Sequence, residues 1–269
     1  AASRWYVAWM SIKRYRVAVT VVVVLMVVFA SLIATLAVRG QQLKAESARA
    51  VSAEASARAE AAKARAVAGF LGDLLDQASP MEREGNAQSL ERLLDQGWRR
   101  AGAELRDQPE VRHEILGVIG RAWLGLGWPE RALGPFVEVL RYLETQSEPP
   151  PGALAEALEN VASAQLGLGE LAEAEHLLLR ARQIRGSTPG MDGVLRARPL
   201  LHLARLHLAT GQLQIAREEI EEAIPSCVAA SGRESLATAE ALVVLGEIQL
   251  ADQRAENGVS TLRHAARIQ

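Results

Sequence analysis

A single cysteine, Cys227, stands among the 269 residues, so no internal disulfide can form and thiol usage does not identify a compartment. Aromatic residues are scarce at 4%, although hydrophobic residues of all kinds reach 49%. The apolar content is therefore mostly Ala, Leu and Val, which favours helix packing and leaves almost no strand expected. Signatures of catalysis are missing too: the chain has no glycine loop ending in Lys-Ser/Thr, no kinase catalytic loop and no metal-binding Asp-Phe-Gly. His113-Glu114 lacks the second His of a zinc helix, and His202 and His207, five residues apart, do not share a helix face. Cys227, placed in a linker without a neighbouring His, reads as an inert small residue. The expectation is a binding protein that is no enzyme and needs no cofactor or metal.

Charge is distributed unevenly. Residues 1–16 hold Arg4, Lys13, Arg14 and Arg16 without an acid, and residues 39–66 hold six basic residues against Glu46, Glu54 and Glu60. Those segments carry +4 and +3 within a total of −2, which leaves −9 on residues 67–269. So acidic a region is ill suited to nucleic-acid phosphates. Between the basic segments runs Val17 to Val38, 22 residues without a charge. As a helix it would measure about 33 Å, enough to cross a hydrocarbon core of about 30 Å. A cleaved leader needs an apolar run of only about 7–15 residues. The run is therefore expected to be a single transmembrane helix, with Trp5, Tyr6, Trp9 and Tyr15 at the membrane interface. The four basic residues before it, against Arg39, Lys44 and Arg49 soon after, place the N-terminus in the cytoplasm and the remainder outside it.

Beyond the span, residues 39–78 form an Ala-rich stretch with interspersed Glu, Arg and Lys, expected to be a helical rod to about Asp76. Val67, Phe70, Leu71, Leu74 and Leu75 recur at helical spacing and should pack its far end onto the next domain. After the loop at Pro80, Gly85 and Asn86, Ser89 reads as an N-cap, and the amphipathic segment 87–110 as a capping helix.

Residues 111–269 repeat with a period of 42. Gly120, Ala162, Ala204 and Gly246 are that far apart, as are Leu124, Leu166, Leu208 and Leu250, then Gly127, Gly169 and Gly211, then Ala132, Ala174, Ala216 and Gly258. Small residues at constant spacing let helix backbones approach, so the pattern predicts stacked helix pairs. First helices are expected near 112–126, 153–167, 193–209 and 234–251, and their partners near 129–145, 170–185, 212–224 and 254–268. The linkers between pairs are SEPPPG, RGSTPGMDG and CVAASGR. No stop signal follows at Gln269, which leaves room for further chain.

These pairs resemble the tetratricopeptide repeat. Leu116, Ile119, Gly120, Trp123, Gly127, Ala132 and Phe136 occupy its offsets in the first pair, while Gln165, His207 and Gln249 stand where an aromatic is usual. The long period is similar to that of kinesin light chains, whose row of groove asparagines is represented here by Asn160 alone. Residues 11–145, from KRYR through AVAGFLGDLLDQASP to the first pair, resemble the region after the catalytic domain in bacterial transmembrane serine/threonine protein kinases with tetratricopeptide tails. Only 16 residues precede the span, so no kinase domain lies within this sequence; Ala1 fits either a start exposed by trimming an initiator methionine or the cut end of a longer protein.

The resemblance implies an all-α solenoid of about four pairs that binds proteins along the inner face of its first helices. Candidate partner-binding residues there are Glu114, Arg121, Glu156, Asn160, Ser163, Arg198, Arg205 and Glu247, a mixed set suited to protein contact. Trp98, Trp123 and Trp128 are expected in packing roles. The expected function is that of a single-pass scaffold or accessory subunit of the bacterial inner membrane. Its periplasmic repeats would hold extramembrane parts of a larger assembly, bioenergetic, photosynthetic or envelope. Its partners would be other integral-membrane subunits and the bilayer, with no nucleic acid or small-molecule substrate. The alternative is a sensory or regulatory tail of a kinase system.

Overall fold

The computed structural model describes residues 57–73 and 87–268, together with positions 39, 51, 54 and 55. The run Val17 to Val38 and the aromatics Trp5, Tyr6, Trp9 and Tyr15 lie outside the described residues, as do Leu74, Leu75 and the loop around Pro80. Among the described residues no helix is long and apolar enough to cross a membrane. The chain divides into two compact units, Ala1–Arg65 and Ala66–Gln269. In the first, the described residues are helical, and the Glu54–Arg58 and Glu60–Lys63 pairs sit where helix-surface charges meet.

In the second unit residues 66–73 are helical, and nine further helices follow among the described residues: α1 (Ala87–Glu104), α2 (Pro109–Gly125), α3 (Pro129–Glu144), α4 (Pro151–Leu168), α5 (Leu171–Ser187), α6 (Gly193–Ala209), α7 (Leu213–Ser231), α8 (Leu236–Ala251) and α9 (Ala255–Ile268). No strand occurs among the described residues. α2/α3, α4/α5, α6/α7 and α8/α9 are antiparallel pairs stacked in chain order, giving a tetratricopeptide-like solenoid.

Local chemistry explains the boundaries. Pro109, Pro129 and Pro151 each open a helix, where a missing N–H costs nothing and the fixed φ is already helical. The Asp192 carboxylate caps α6 by accepting from the Val194 and Leu195 amides at 2.8 and 3.4 Å, and the Ser235 hydroxyl caps α8 through the Thr238 amide. The turn inside each pair uses one device four times. The amides of Trp128, Glu170, Gln212 and Arg254 donate to the carbonyls of Trp123, Gln165, His207 and Gln249, five residues back, at 2.8–3.0 Å. This requires a left-handed residue just before the donor. Gly127, Gly169 and Gly211 supply it with φ of 78°, 80° and 78°; the fourth turn uses Gln253 at 59°.

The small-residue register has a steric cause. A Cβ on Gly120 would collide with the Phe136 ring, and one on Gly246 would lie 2.7 Å from Leu262. At the corresponding places in the middle pairs, Ala162 and Ala204 are fully buried with Leu178 and Ile220 sixteen residues on. Glycine makes room for the Phe136 ring and for Leu262, while alanine suffices beside Leu178 and Ile220. Trp123, Phe136, Ile115, Leu116 and Ile119 anchor the first apolar cluster, each contributing roughly 1.5–3 kcal/mol on burial. Phe70, Ala66, Val67 and Leu71 pack against this cluster, with the Arg100 guanidinium 5.5 Å from the Phe70 ring centroid, so residues 66–71 cover it before α1 begins. Trp98 meets Trp123 edge-on at 5.6 Å.

Two sequence expectations need correction. Ser89 is not an N-cap: α1 already includes Ala87, and alanine and glutamine take helical backbone readily. CVAASGR is not a linker either, since α7 continues to Ser231 with Pro225 inside it, and Cys227 is a buried helix residue. A proline within a helix forfeits one hydrogen bond. Here burial of Ala223 and Cys227 offsets that loss, and Gly193 lets α6 begin so close that a Cβ there would lie 2.6 Å from the Ser226 carbonyl oxygen.

Candidate protein-binding face

Successive first helices touch one another, α2 with α4, α4 with α6 and α6 with α8, whereas the second helices α3, α5 and α7 make no comparably extensive contact among themselves. A stack closer-set along its first helices curves with those helices on the inner side. Each joint on that side carries an ion pair. Arg121 of α2 reaches Glu156 of α4 at 3.3 Å, Arg198 of α6 approaches Glu159 of α4 at 3.9 Å, and Arg205 of α6 reaches Glu240 of α8 at 3.3 Å. The structure thus joins the expected Arg121 with Glu156, and it links Arg198 and Arg205 to partners that sequence reasoning did not single out. Ser163 donates its hydroxyl to the Glu159 carbonyl at 2.8 Å, which leaves its oxygen able to accept. Asn160 is half-buried, and Glu114 and Glu247 are exposed.

Two buried polar pairs lie behind this strip. Arg185, at the end of α5, clasps Glu159 with both arms, Nε to Oε1 at 2.5 Å and Nη2 to Oε2 at 3.1 Å, and both side chains are 2% exposed. Burial pushes the Glu159 carboxyl above its ordinary range, against the opposing pull of the Arg185 hydrogen bond and charge. The second pair joins His207 Nδ1 to Glu219 Oε2 at 2.8 Å, with Glu175 Oε1 3.5 Å from Nε2. Glu219 is likewise raised by burial, opposed by His207. The signals for both were present. Glu159 and Arg185 fall in register with Leu201 and with Leu143 and Cys227, all buried and uncharged. An acid and a base in otherwise apolar columns 26 residues apart are each other's natural partners. His207 and Glu219 are 12 apart, as are Gln249 and Thr261, whose hydroxyl donates to Gln249 Oε1 at 2.8 Å. Two of the residues standing in for the usual aromatic therefore find a polar partner at a fixed offset. The aromatic itself, Trp123, is fully buried with its Nε1 unpartnered.

His202 belongs to the inner face: it follows Arg198 by one helical turn and precedes Arg205 by another. Burial and the two flanking guanidiniums push its imidazole down to about 4, so it is neutral at pH 7. Among the described residues no group of three His, Cys, Asp or Glu side chains is arranged to hold a metal.

Helix pairs of this kind define a class of protein-interaction repeat, and the comparisons agree. Residues 153–227 match the tetratricopeptide-repeat family. Among solved structures, BtubC (BKLC) from P. vanneervenii aligns with a TM-score of 0.56 at 18% identity, over 67% of this chain and 73% of its own. The "putative kinesin light chain nearly identical TPR-like repeats" of Podosopora anserina, in a single-substitution form, align with a TM-score of 0.54 at 20% identity, over 74% of this chain and 94% of theirs. At such identities these likenesses establish the fold. No curated protein matches the chain.

Proposed function

We propose that this protein is a non-enzymatic membrane-anchored scaffold whose repeat domain holds other proteins along the inner face of its first helices. The observation that carries the reading is the inner strip itself. Ion pairs brace every joint between first helices, while Asn160 and much of Arg198 stay available to a partner. A braced surface of mixed charge suits protein contact, which gains from preorganisation and from polar groups that select partners. The anchor rests on the uncharged run Val17 to Val38 between basic flanks, and the flanks favour a cytoplasmic N-terminus with the repeats on the far side of a bacterial inner membrane. Subunits of a larger membrane assembly are the partners such a tether would present to the domain. The kinase-tail alternative draws on the resemblance over residues 11–145 and requires a kinase reading frame joined upstream.

A photo-crosslinking residue at Glu247 on the inner strip, compared with one at Arg180 on α5, tests the binding reading in native membranes. Adducts of fixed mass from position 247 and none from 180 are expected; equal or absent labelling at both would overturn it. Protease protection of the repeats in sealed inner-membrane vesicles tests the topology, and cleavage from the cytoplasmic side would reverse the assigned orientation.

A further inference from the structure

The joint between the second and third hairpins is built unlike its neighbours. The first apolar cluster ends on α5 at Ala181, the second begins on α6 at Ala197, and the small cluster of Ala162, Ala174, Leu178, Leu203 and Leu206 lies between them. The same joint holds ionisable groups from α5, α6 and α7. Buried His207 of α6 faces a carboxylate from each ring nitrogen: Glu219 of α7 lies 2.8 Å from Nδ1, and Glu175 of α5 lies 3.5 Å from Nε2. Glu219 belongs to the same hairpin as His207, whereas Glu175 belongs to the preceding one, so the second contact crosses the joint. The corresponding positions at the joint before are Gln165, Leu177 and Leu133; at the joint after they are Gln249, Thr261 and Arg217, with Arg217 paired to Asp252. Those groups keep their charge through the neutral pH range, and a histidine does not.

A neutral imidazole has one N–H and can donate to one of the two carboxylates, while its other nitrogen turns a lone pair toward the second; an imidazolium donates to both. With the extra proton, His207 therefore ties α5 to its own hairpin. Without it, the buried Glu219 keeps the remaining N–H, because leaving a buried acceptor unpaired costs more, and Glu175, 41% exposed, is free to turn to water. Burial raises the Glu219 carboxyl against the opposing pull of His207 and Arg182. A group raised in the fold contributes stability at low pH and loses it as pH rises through the folded value, so Glu219 acts in the same direction as His207. The other charges between these helices are engaged: Arg182 of α5 by Glu222 of α7 at 2.6 Å, Glu159 of α4 by Arg185 and Arg198, and Glu240 of α8 by Arg205. His202 of α6, pushed down to about 4, stays neutral near pH 7. We infer that His207 is a proton-operated strap across this joint. Protonated, it holds the third hairpin against the second through Glu175; on losing that proton it lets the angle between the two halves of the solenoid relax, and the curvature of the stack with it. The device works in the same way whatever the domain binds.

The test measures distances between spin labels at exposed, equivalent positions of the second helices, in the detergent-solubilised full chain with the buried Cys227 replaced by alanine. Ala172→Cys with Gln214→Cys spans this joint; Glu130→Cys with Ala172→Cys, and Gln214→Cys with Glu256→Cys, span the joints on either side. Between about pH 5.5 and about pH 8.5 the first pair's distance distribution is expected to broaden, its opened population rising about tenfold, while the other two stay unchanged. His207→Gln installs the residue already found at Gln165 and Gln249, and Glu175→Gln removes the acid across the joint; each is expected to abolish the pH response. Identical distributions at both pH values, the same response at all three joints, or a response surviving in either variant would overturn the inference. Nuclear magnetic resonance of the imidazole nitrogens of His207 in the unaltered protein supplies a readout that does not depend on how any variant folds. Two protonated nitrogens at the acid end and one at the alkaline end are expected, with the same midpoint as the distance change. A ring that keeps one protonation state throughout would overturn the inference as well.

Discussion

Replacing Arg185 with leucine leaves the Glu159 carboxylate 2% exposed without its bidentate partner, and only Arg198, 3.9 Å away, remains to compensate. Removing one member of a buried ion pair costs about 3–5 kcal/mol, because the desolvated charge that remains has lost its counter-charge. In a domain of this size each kcal/mol corresponds to about 2–4 °C, so the melting temperature should fall by roughly 6–20 °C. The double variant Glu159→Leu/Arg185→Leu behaves differently. It puts into both columns the residue already found at Leu201 and Leu143, and replacing a whole buried pair by apolar groups is neutral or stabilising by about 1–4 kcal/mol. The assay is thermal unfolding followed by helical circular dichroism in the unaltered protein, both single variants and the double. In Arg185→Leu the folded-state pKa of Glu159, already raised by burial, rises further. A folded pKa above the unfolded one stabilises at low pH and loses that contribution as pH rises through the folded value, so the deficit should shrink on acidification and be largest near neutrality. A single variant costing under 1 kcal/mol, or a double variant as unstable as the single, would refute the account of a desolvated pair.

Further outcomes follow from the packing and the turns. Gln253→Gly should raise stability by about 0.5–1 kcal/mol because Gln253 holds a φ of 59°, and Gly169→Gln should lower it by about 1–2 kcal/mol; chemical denaturation of both variants checks the pair. Gly120→Ala drives a methyl into Phe136 and should cost about 1–3 kcal/mol, with much of that recovered by adding Phe136→Leu, as a double-mutant cycle will show. Arg121→Gln removes an ion pair whose side chains are 46% and 47% exposed, so it should cost no more than about 1 kcal/mol and less in high salt, read from melts at two ionic strengths.

The repeat was legible because its constraints are local and recur. Gly127, Gly169 and Gly211 announce turns that need a positive φ, and Ala162, Ala204 and their equivalents announce close helix contacts, so the helix pairs could be placed within a few residues. Legibility failed where a three-dimensional neighbour outweighed a local rule. The helix expected near 212–224 stops just before Pro225, yet the interface of α7 with the start of α6 carries it onward to Ser231. Gln253 gives no local sign of a left-handed residue; its place in the 42-residue register was the available clue, and the fourth turn keeps the same backbone bond as the others. The candidate face was legible as a set of positions but not as a set of partners. Which acid serves which base depends on how neighbouring hairpins stack, and a one-dimensional pattern leaves that open. Glu159 and Arg185 escape a reading in which charge means exposure, although the apolar residues sharing their columns argue otherwise.

The inner ion pairs also write the order of the hairpins into the molecule. Arg121 of the first hairpin meets Glu156 of the second, and Arg205 of the third meets Glu240 of the fourth. Exchange the middle two, and by the same register Arg121 would confront Arg198, replacing an attraction by a repulsion, while Ser163 would be left facing Glu240. Units that look like copies of one another are therefore not freely permutable bricks, and a shuffled array would carry a mismatch at its first seam even with every turn and every small residue preserved.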